Sequence, residues 1–210
     1  MNSAATGSAF VLGVLMCIAA LFLLFAKADP LAALFTLLTI FSYLGWYTPA
    51  KKWSVWSTEI GALAGAFPPL IGWAAGEGRV TTLGWILFGV LFFWQIPHFM
   101  AIAWTYRRDY SIVHFPMLPV RDEAGGKVAA WSFANTLAVV VVSLLPVAFG
   151  LASRGYGLIA GILGAGFIWR AVVFLHPGGR DVAARKLFLA SIAYLPLVLG
   201  ALVINRVLNF

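Results

Sequence analysis

Charge is what this chain has least of. Asp, Glu, Lys and Arg make up 10% of its 210 residues, against 62% apolar residues. A soluble domain cannot cover its surface from so few charges, and the composition excludes one. Cysteine is almost absent. The single Cys17 excludes an intramolecular disulfide. Acidic residues are scarce too, and no two of them are spaced Asp-x-x-x-Asp. There is no glycine-rich nucleotide loop, no Cys/His metal spacing and no readable Ser-His-Asp set. No low-complexity tract or convincing repeat divides the chain, so residues 1–210 are read as one membrane-embedded domain. No nucleic acid is expected as a partner.

What the chain has is long apolar runs. A hydrocarbon core takes about 20 helical residues to cross. Seven segments approach that length: Ala9–Phe25, Leu31–Trp46, Glu59–Trp73, Leu83–Thr105, Ala129–Leu151, Tyr156–Leu175 and Leu187–Val207. The second and third are short. The runs do not alternate apolar and polar residues as the strands of a lipid-facing barrel do. Only helices and closed barrels satisfy their own backbone in lipid. The fold class is therefore all-α, a polytopic membrane bundle of about seven helices. The first run ends in Ala26-Lys27-Ala28, a small-x-small triplet like a signal-peptidase site. No Lys or Arg precedes it, as a signal peptide requires, and it is read as a span.

The loops differ in charge. One side carries Lys51, Lys52, Arg107, Arg108, Arg121, Lys127, Arg180, Arg185 and Lys186; the other carries Lys27, Arg79, Arg154 and Arg206. The positive-inside rule assigns the first set to the cytoplasm of a multi-pass protein in a cell inner membrane. It also places the start of the chain inside and Phe210 outside. The net charge of +7 is concentrated mainly at the cytoplasmic face. The plain reading of those cations is topology and contact with anionic lipid of the bilayer.

Four strings stand out. The fourth span carries Trp94-Gln95-Ile96-Pro97-His98 and runs on to Tyr106-Arg107-Arg108-Asp109-Tyr110. If helix persists to Asp109, then Gln95, His98, Ile102, Thr105 and Asp109 share one face. From His98 to Asp109 that face covers about 16 Å. Polar groups at membrane depth need protein, ligand or water to satisfy them. Pro97 removes a backbone hydrogen bond and is expected to kink the helix. His98 has two readings, a buried imidazole bonded to a neighbouring helix or a substrate contact, including an axial haem ligand. The pair Lys51-Lys52 follows Tyr47-Thr-Pro-Ala at a span end. It is either a topology anchor or an electrostatic clamp on a phosphorylated substrate. Gly61 and Gly65 form a small-xxx-small face, and Pro68-Pro69 interrupts the third span, which is read as pocket-shaping architecture. The connection Phe115-Pro116-Met-Leu-Pro119-Val-Arg121-Asp122-Glu123 is long for a bundle loop and reads either as a lid or as an ordinary turn.

Together these strings resemble the protoheme IX farnesyltransferases of the intramembrane aromatic prenyltransferase superfamily. The resemblance rests on Tyr47-Thr-Pro-Ala-Lys51-Lys52, Gly65-Ala-Phe-Pro68-Pro69-Leu-Ile-Gly72-Trp73, Trp94-Gln95-Ile-Pro97-His98-Phe99, and Asp109-Tyr110 followed by Pro116-Met-Leu-Pro119-Val. It implies transfer of a farnesyl group from farnesyl diphosphate to a vinyl group of haem b, giving haem O for terminal oxidase assembly. It implies Mg²⁺ as cofactor and Asp109 as a metal ligand, with Lys51, Lys52 and Asp109 in the chemistry. Tyr47, Gln95, His98, Thr105, Arg107, Arg108, Tyr110 and Arg121 are the substrate-binding positions. Haem-handling or oxidase-assembly membrane proteins are the partners it implies. The chain matches the third to ninth helices of a nine-helix ring. The family's first Asp-rich motif, Asn-x-x-x-Asp-x-x-x-Asp, has no counterpart in it, and Arg108 stands where many members carry a second acid. The expectation is that these residues alone are inactive. Two other readings remain: a transporter using the polar stripe, which predicts broken helices in two related halves, and a non-catalytic subunit that binds haem and hands it on.

Overall fold

A computed structural model describes residues 3–112 and 114–208. Met1 and Phe210, which carried part of the topology reading, lie outside them. Among the described residues there is helix but no strand. Six helices among those residues are long and apolar enough to cross a membrane, which makes this a multi-pass membrane protein. The seven expected spans are present as those six and one broken pair.

Helix α1 (Ser3–Leu23) runs on through a π segment, Leu24–Ala28. Asp29 then resets the chain. Its extended backbone and Pro30 start α2 (Pro30–Phe41), and its Oδ1 accepts from Leu31 N at 2.7 Å. The second span is longer than the sequence indicated. A π segment (Ser42–Tyr47) and the short α3 (Thr48–Ala50) carry it from Pro30 to Ala50. Its hydroxyls turn back on the helix: Thr36 donates to Ala32 O, Thr39 to Phe35 O and Ser42 to Leu38 O. No polar side chain among them faces lipid unpaired.

The third span is two helices. Helix α4 (Ser57–Ala66) stops at Phe67 and α5 starts at Pro68, running to Glu77. Pro69 lacks an N–H and Pro68 sits at a first-turn position where none is needed. Gly78, with φ +66°, closes α5 in the left-handed conformation a glycine adopts freely. Helix α6 (Thr82–Thr105) passes through Pro97 without a break and ends one turn sooner than the polar stripe requires. Tyr106, at φ −102° and ψ 19°, breaks it, and α7 (Arg107–Ile112) sets off separately. Then come α8 (Leu118–Arg121), α9 (Gly126–Ala148), α10 (Arg154–Leu175) and α11 (Arg180–Leu208).

The core lies among four of these. Helix α6 packs on α9 and α11, α9 on α10, and α10 on α11, which closes a four-helix cycle. Met100, Val128, Val139, Phe167, Phe174, Leu187 and Val198 fill it. Two of its tyrosines bond within it: Tyr156 O–H donates to Ser143 O at 2.7 Å, and Tyr194 O–H to Ser143 Oγ at 2.9 Å. Helices α4 and α5 lie against the outside of α6, and α2 lies against α4 and α5. This second layer encloses the site.

Candidate active site

A hollow of about 660 Å³ opens between the two layers. Tyr43, Tyr47, Thr58, Gly61, Gly65, Gln95, Phe99, Ile102, Tyr110, Met117 and, from α1, Cys17 are among its walls. The sequence reading of small residues at Gly61 and Gly65 acquires a specific purpose here. A Cβ on Gly61 would lie 2.8 Å from the Tyr47 ring, and one on Gly65 would overlap the Gln95 amide. The two glycines are seats for two wall side chains from neighbouring helices. The Gln95 amide, at membrane depth, is satisfied by protein: its Nε2 donates to Leu91 O at 3.0 Å and to Ala62 O at 3.3 Å. Its Oε1 rests over Gly65.

The expected site residues divide. Tyr47, Gln95 and Tyr110 line the hollow. Lys51 stands at its rim, with Nζ 5.1 Å from the centroid of the Tyr47 ring. Lys52 and Asp109, each next in sequence to one of these groups, are exposed, as is Arg108, two residues before Tyr110. Met117 brings the long connection onto the hollow's edge, and Arg121 is exposed at the end of α8.

His98, Thr105 and Arg107 are elsewhere. The hollow takes the Gln95, Phe99, Ile102 and Ala103 side of α6, and His98, at the edge of that face away from Phe99 and Ala103, is not among its walls. The His98 ring faces α11. Its Nδ1 is 2.8 Å from Ser191 Oγ, and the ring lies 4.7 Å from Trp94 and 5.0 Å from Phe188. Thr105 is exposed and donates back to Ala101 O. Arg107 lies on a second, smaller hollow of about 360 Å³, which shares no lining residue with the first. Its Nη1 donates to Trp104 O at 2.7 Å and pairs with Asp181 Oδ1 at 3.0 Å, while its guanidinium stacks 4.2 Å from the Trp104 ring. The continuous stripe from Gln95 to Asp109 is thus broken twice, by the rotation of His98 and Thr105 away from the hollow and by the turn at Tyr106.

Sequence reasoning missed this second cluster. Trp104 is buried and donates its indole N–H to Asp181 Oδ1 at 2.8 Å. Arg180, also buried, donates to the carbonyls of Ala124, Phe174 and Leu175. The one available signal was Arg180-Asp181 opening a long apolar helix next to Gly178-Gly179. It reads from sequence as an ordinary charged helix start.

Residues 4–192 match the UbiA prenyltransferase family. The chain belongs to this family. It is 74% identical over 202 residues to a protoheme IX farnesyltransferase of Opitutus terrae, covering 96% of this chain and 68% of that protein. Proteins of the same name from Solibacter usitatus and Thermosynechococcus vestitus are 39% and 42% identical over 206 and 203 residues. Those alignments cover 95% of this chain and 68% and 63% of the relatives. The chain therefore spans about two thirds of their length. No solved structure matches it.

Intramembrane prenyl transfer asks for an apolar chamber. This UbiA member has one, with aromatic rings from three directions: Tyr43 and Tyr47 of the second span, Phe99 of α6 and Tyr110 of α7.

Proposed function

We propose that this chain binds farnesyl diphosphate in the larger hollow and transfers its farnesyl group to a vinyl group of haem b. The observation that carries the reading is the stacking of Lys51 on Tyr47 at the rim of an aromatic, otherwise apolar chamber. Close similarity to proteins named protoheme IX farnesyltransferase supports the choice of substrates.

The chemistry follows from that placement. The Lys51 and Lys52 ammonium groups offset the charge that collects on the departing diphosphate. The allylic C–O bond breaks as that charge is neutralised. The resulting cation is shielded from bulk water and faces the rings of Tyr43, Tyr47, Phe99 and Tyr110 until the vinyl carbon attacks it. Water then adds to the vinyl-derived cation and a proton leaves, which gives the hydroxyethylfarnesyl substituent. Gln95 fixes the chamber's depth from within.

Mg²⁺ is the cofactor the family resemblance implies. Mg²⁺ takes six oxygen ligands, several of them waters, through one or two carboxylates and the substrate's phosphate oxygens. Among the described residues no group of three or more His, Cys, Asp or Glu is gathered. These residues do not make a magnesium site by themselves. Asp109 is the carboxylate they contribute beside the hollow, and no step above runs through the metal. The basic loops support a mouth on the cytoplasmic side of the cell inner membrane. The haem donor and the oxidase that takes the product are the membrane partners this reading calls for.

The test is a photoreactive farnesyl diphosphate analogue, applied to the chain in lipid nanodiscs and followed by peptide mapping. Labelling is expected on the α2 π segment, α4 and α6 and to be displaced by farnesyl diphosphate. Labels confined to the lipid-facing surfaces of α10 or α11 would overturn the assignment.

A further inference from the structure

The Arg107–Asp181 pair sits outside the proposed chamber, yet it bears on it through α7. No residue of α7 is buried, so this six-residue helix has no core to hold it. It packs on α6 and α8. Its fourth residue, Tyr110, nevertheless forms part of the chamber wall. Backbone bonds tie the helix to its neighbours in the chain, Tyr110 N–H to Tyr106 O and Phe115 N–H to Tyr110 O, and its first residue adds an ion pair to a distant helix. Arg107 is gripped by Asp181 from α11, by the Trp104 carbonyl and by the face of the Trp104 ring. Asp181 Oδ1 accepts at the same time from the indole of Trp104, which anchors the last turn of α6. One carboxylate oxygen thus sits on both sides of the break at Tyr106.

We infer that Asp181 is a positioning residue. By holding Arg107 it fixes the direction in which α7 leaves α6, and so keeps Tyr110 in the chamber wall and Asp109 at its mouth. Arg107 acts in this joint and is not a diphosphate ligand. The consequence for catalysis rests on the proposed function; the placement of Tyr110 does not.

The experiment replaces Tyr110 with benzoyl-phenylalanine in the full chain in nanodiscs and maps the photocrosslinks. In the parent, crosslinks are expected to concentrate on chamber residues such as Tyr43, Tyr47 and Phe99. With Asp181→Ala or Arg107→Gln, the share landing there is expected to fall about tenfold, since an ångström-scale misplacement is felt at such range. Asp181→Glu is expected to restore most of it. Arg107→Gln leaves the Trp104–Asp181 bond intact, so it decides the matter even if Asp181→Ala does not fold. An unchanged crosslink pattern in Arg107→Gln would overturn the inference. Affinity for the unreactive farnesyl thiolodiphosphate separates the two claims. If crosslinks scatter while affinity holds, the joint stands and the placement of diphosphate at this rim fails. If affinity falls while the crosslinks stay in place, Arg107 is a ligand and the positioning role is wrong.

Discussion

Gly65 on α4 lies directly beneath the side-chain amide of Gln95 on α6, so closely that a methyl group in place of its hydrogen would occupy the position of Gln95 Oε1. That contact brings the broken span against the unbroken one and holds the amide at the depth where it meets the hollow.

Gly65→Ala is therefore expected to lower stability by about 1–3 kcal/mol through overpacking. It should also push the Gln95 amide off Ala62 O and Leu91 O. Gly72 and Gly76 on α5 have open space where a methyl would go. Alanine there should be neutral or mildly stabilising, by up to about 1 kcal/mol. Thermal unfolding in detergent compares the three, and equal melting temperatures would remove the special status of Gly65.

Lys51→Ala is expected to weaken binding of farnesyl diphosphate about tenfold, the scale of one charge-assisted contact at a partly shielded site. Lys51→Arg should keep most of the affinity. Lys52, more exposed, should matter less and lose its effect as salt rises. Titration at two ionic strengths reads both. Wild-type affinity in the Lys51→Ala, Lys52→Ala double variant would remove the clamp.

His98→Ala should behave as a packing variant. It removes one partner of Ser191 Oγ, which also donates to Phe188 O, and the ring packed between Trp94 and Phe188. A loss of roughly 1–3 kcal/mol is expected, with the absorption spectrum of bound haem unchanged. A lost or shifted Soret band would instead make His98 an iron ligand.

Gly125 is predicted to tolerate no side chain. Its φ is +72°, and a Cβ would fall within 2.6 Å of two atoms of the Trp104 ring. Backbone strain and displacement of Trp104 act together in Gly125→Ala, for an expected loss of at least about 1–3 kcal/mol. Because Trp104 holds the end of α6, tryptophan fluorescence should report the change alongside melting.

Much of this was legible without coordinates. The scarcity of charge and the length of the apolar runs gave a helical membrane bundle, because only internally bonded backbone is stable in lipid. Pro68-Pro69 marked the broken third span for a local reason. The small-xxx-small pair was visible as a contact face, but not what it would contact. The second span read short because the reading ends it at Trp46, before Tyr47-Thr48-Pro49, where a proline turn looks like a helix ending. The structure continues the helix, since the hydroxyls bond back to it.

Helical periodicity placed Gln95, His98 and Thr105 on one broad stripe, about 80° wide, which is too coarse to say which neighbour each side chain meets. Tertiary packing made that choice. With α4 seated on Gln95 and α11 on His98, one edge of the stripe looks into the hollow and the other into the bundle. Arg107 shows the same division: its charge and its place beside a span end belong to the sequence, whereas its partner Asp181 lies more than seventy residues away and meets it only after α6 and α11 have packed. Backbone bonding and hydrophobicity are local in the chain, so composition and order determine the spans. Which polar group is a wall, a joint or a rim depends on contacts between distant segments, and those exist only in the folded bundle.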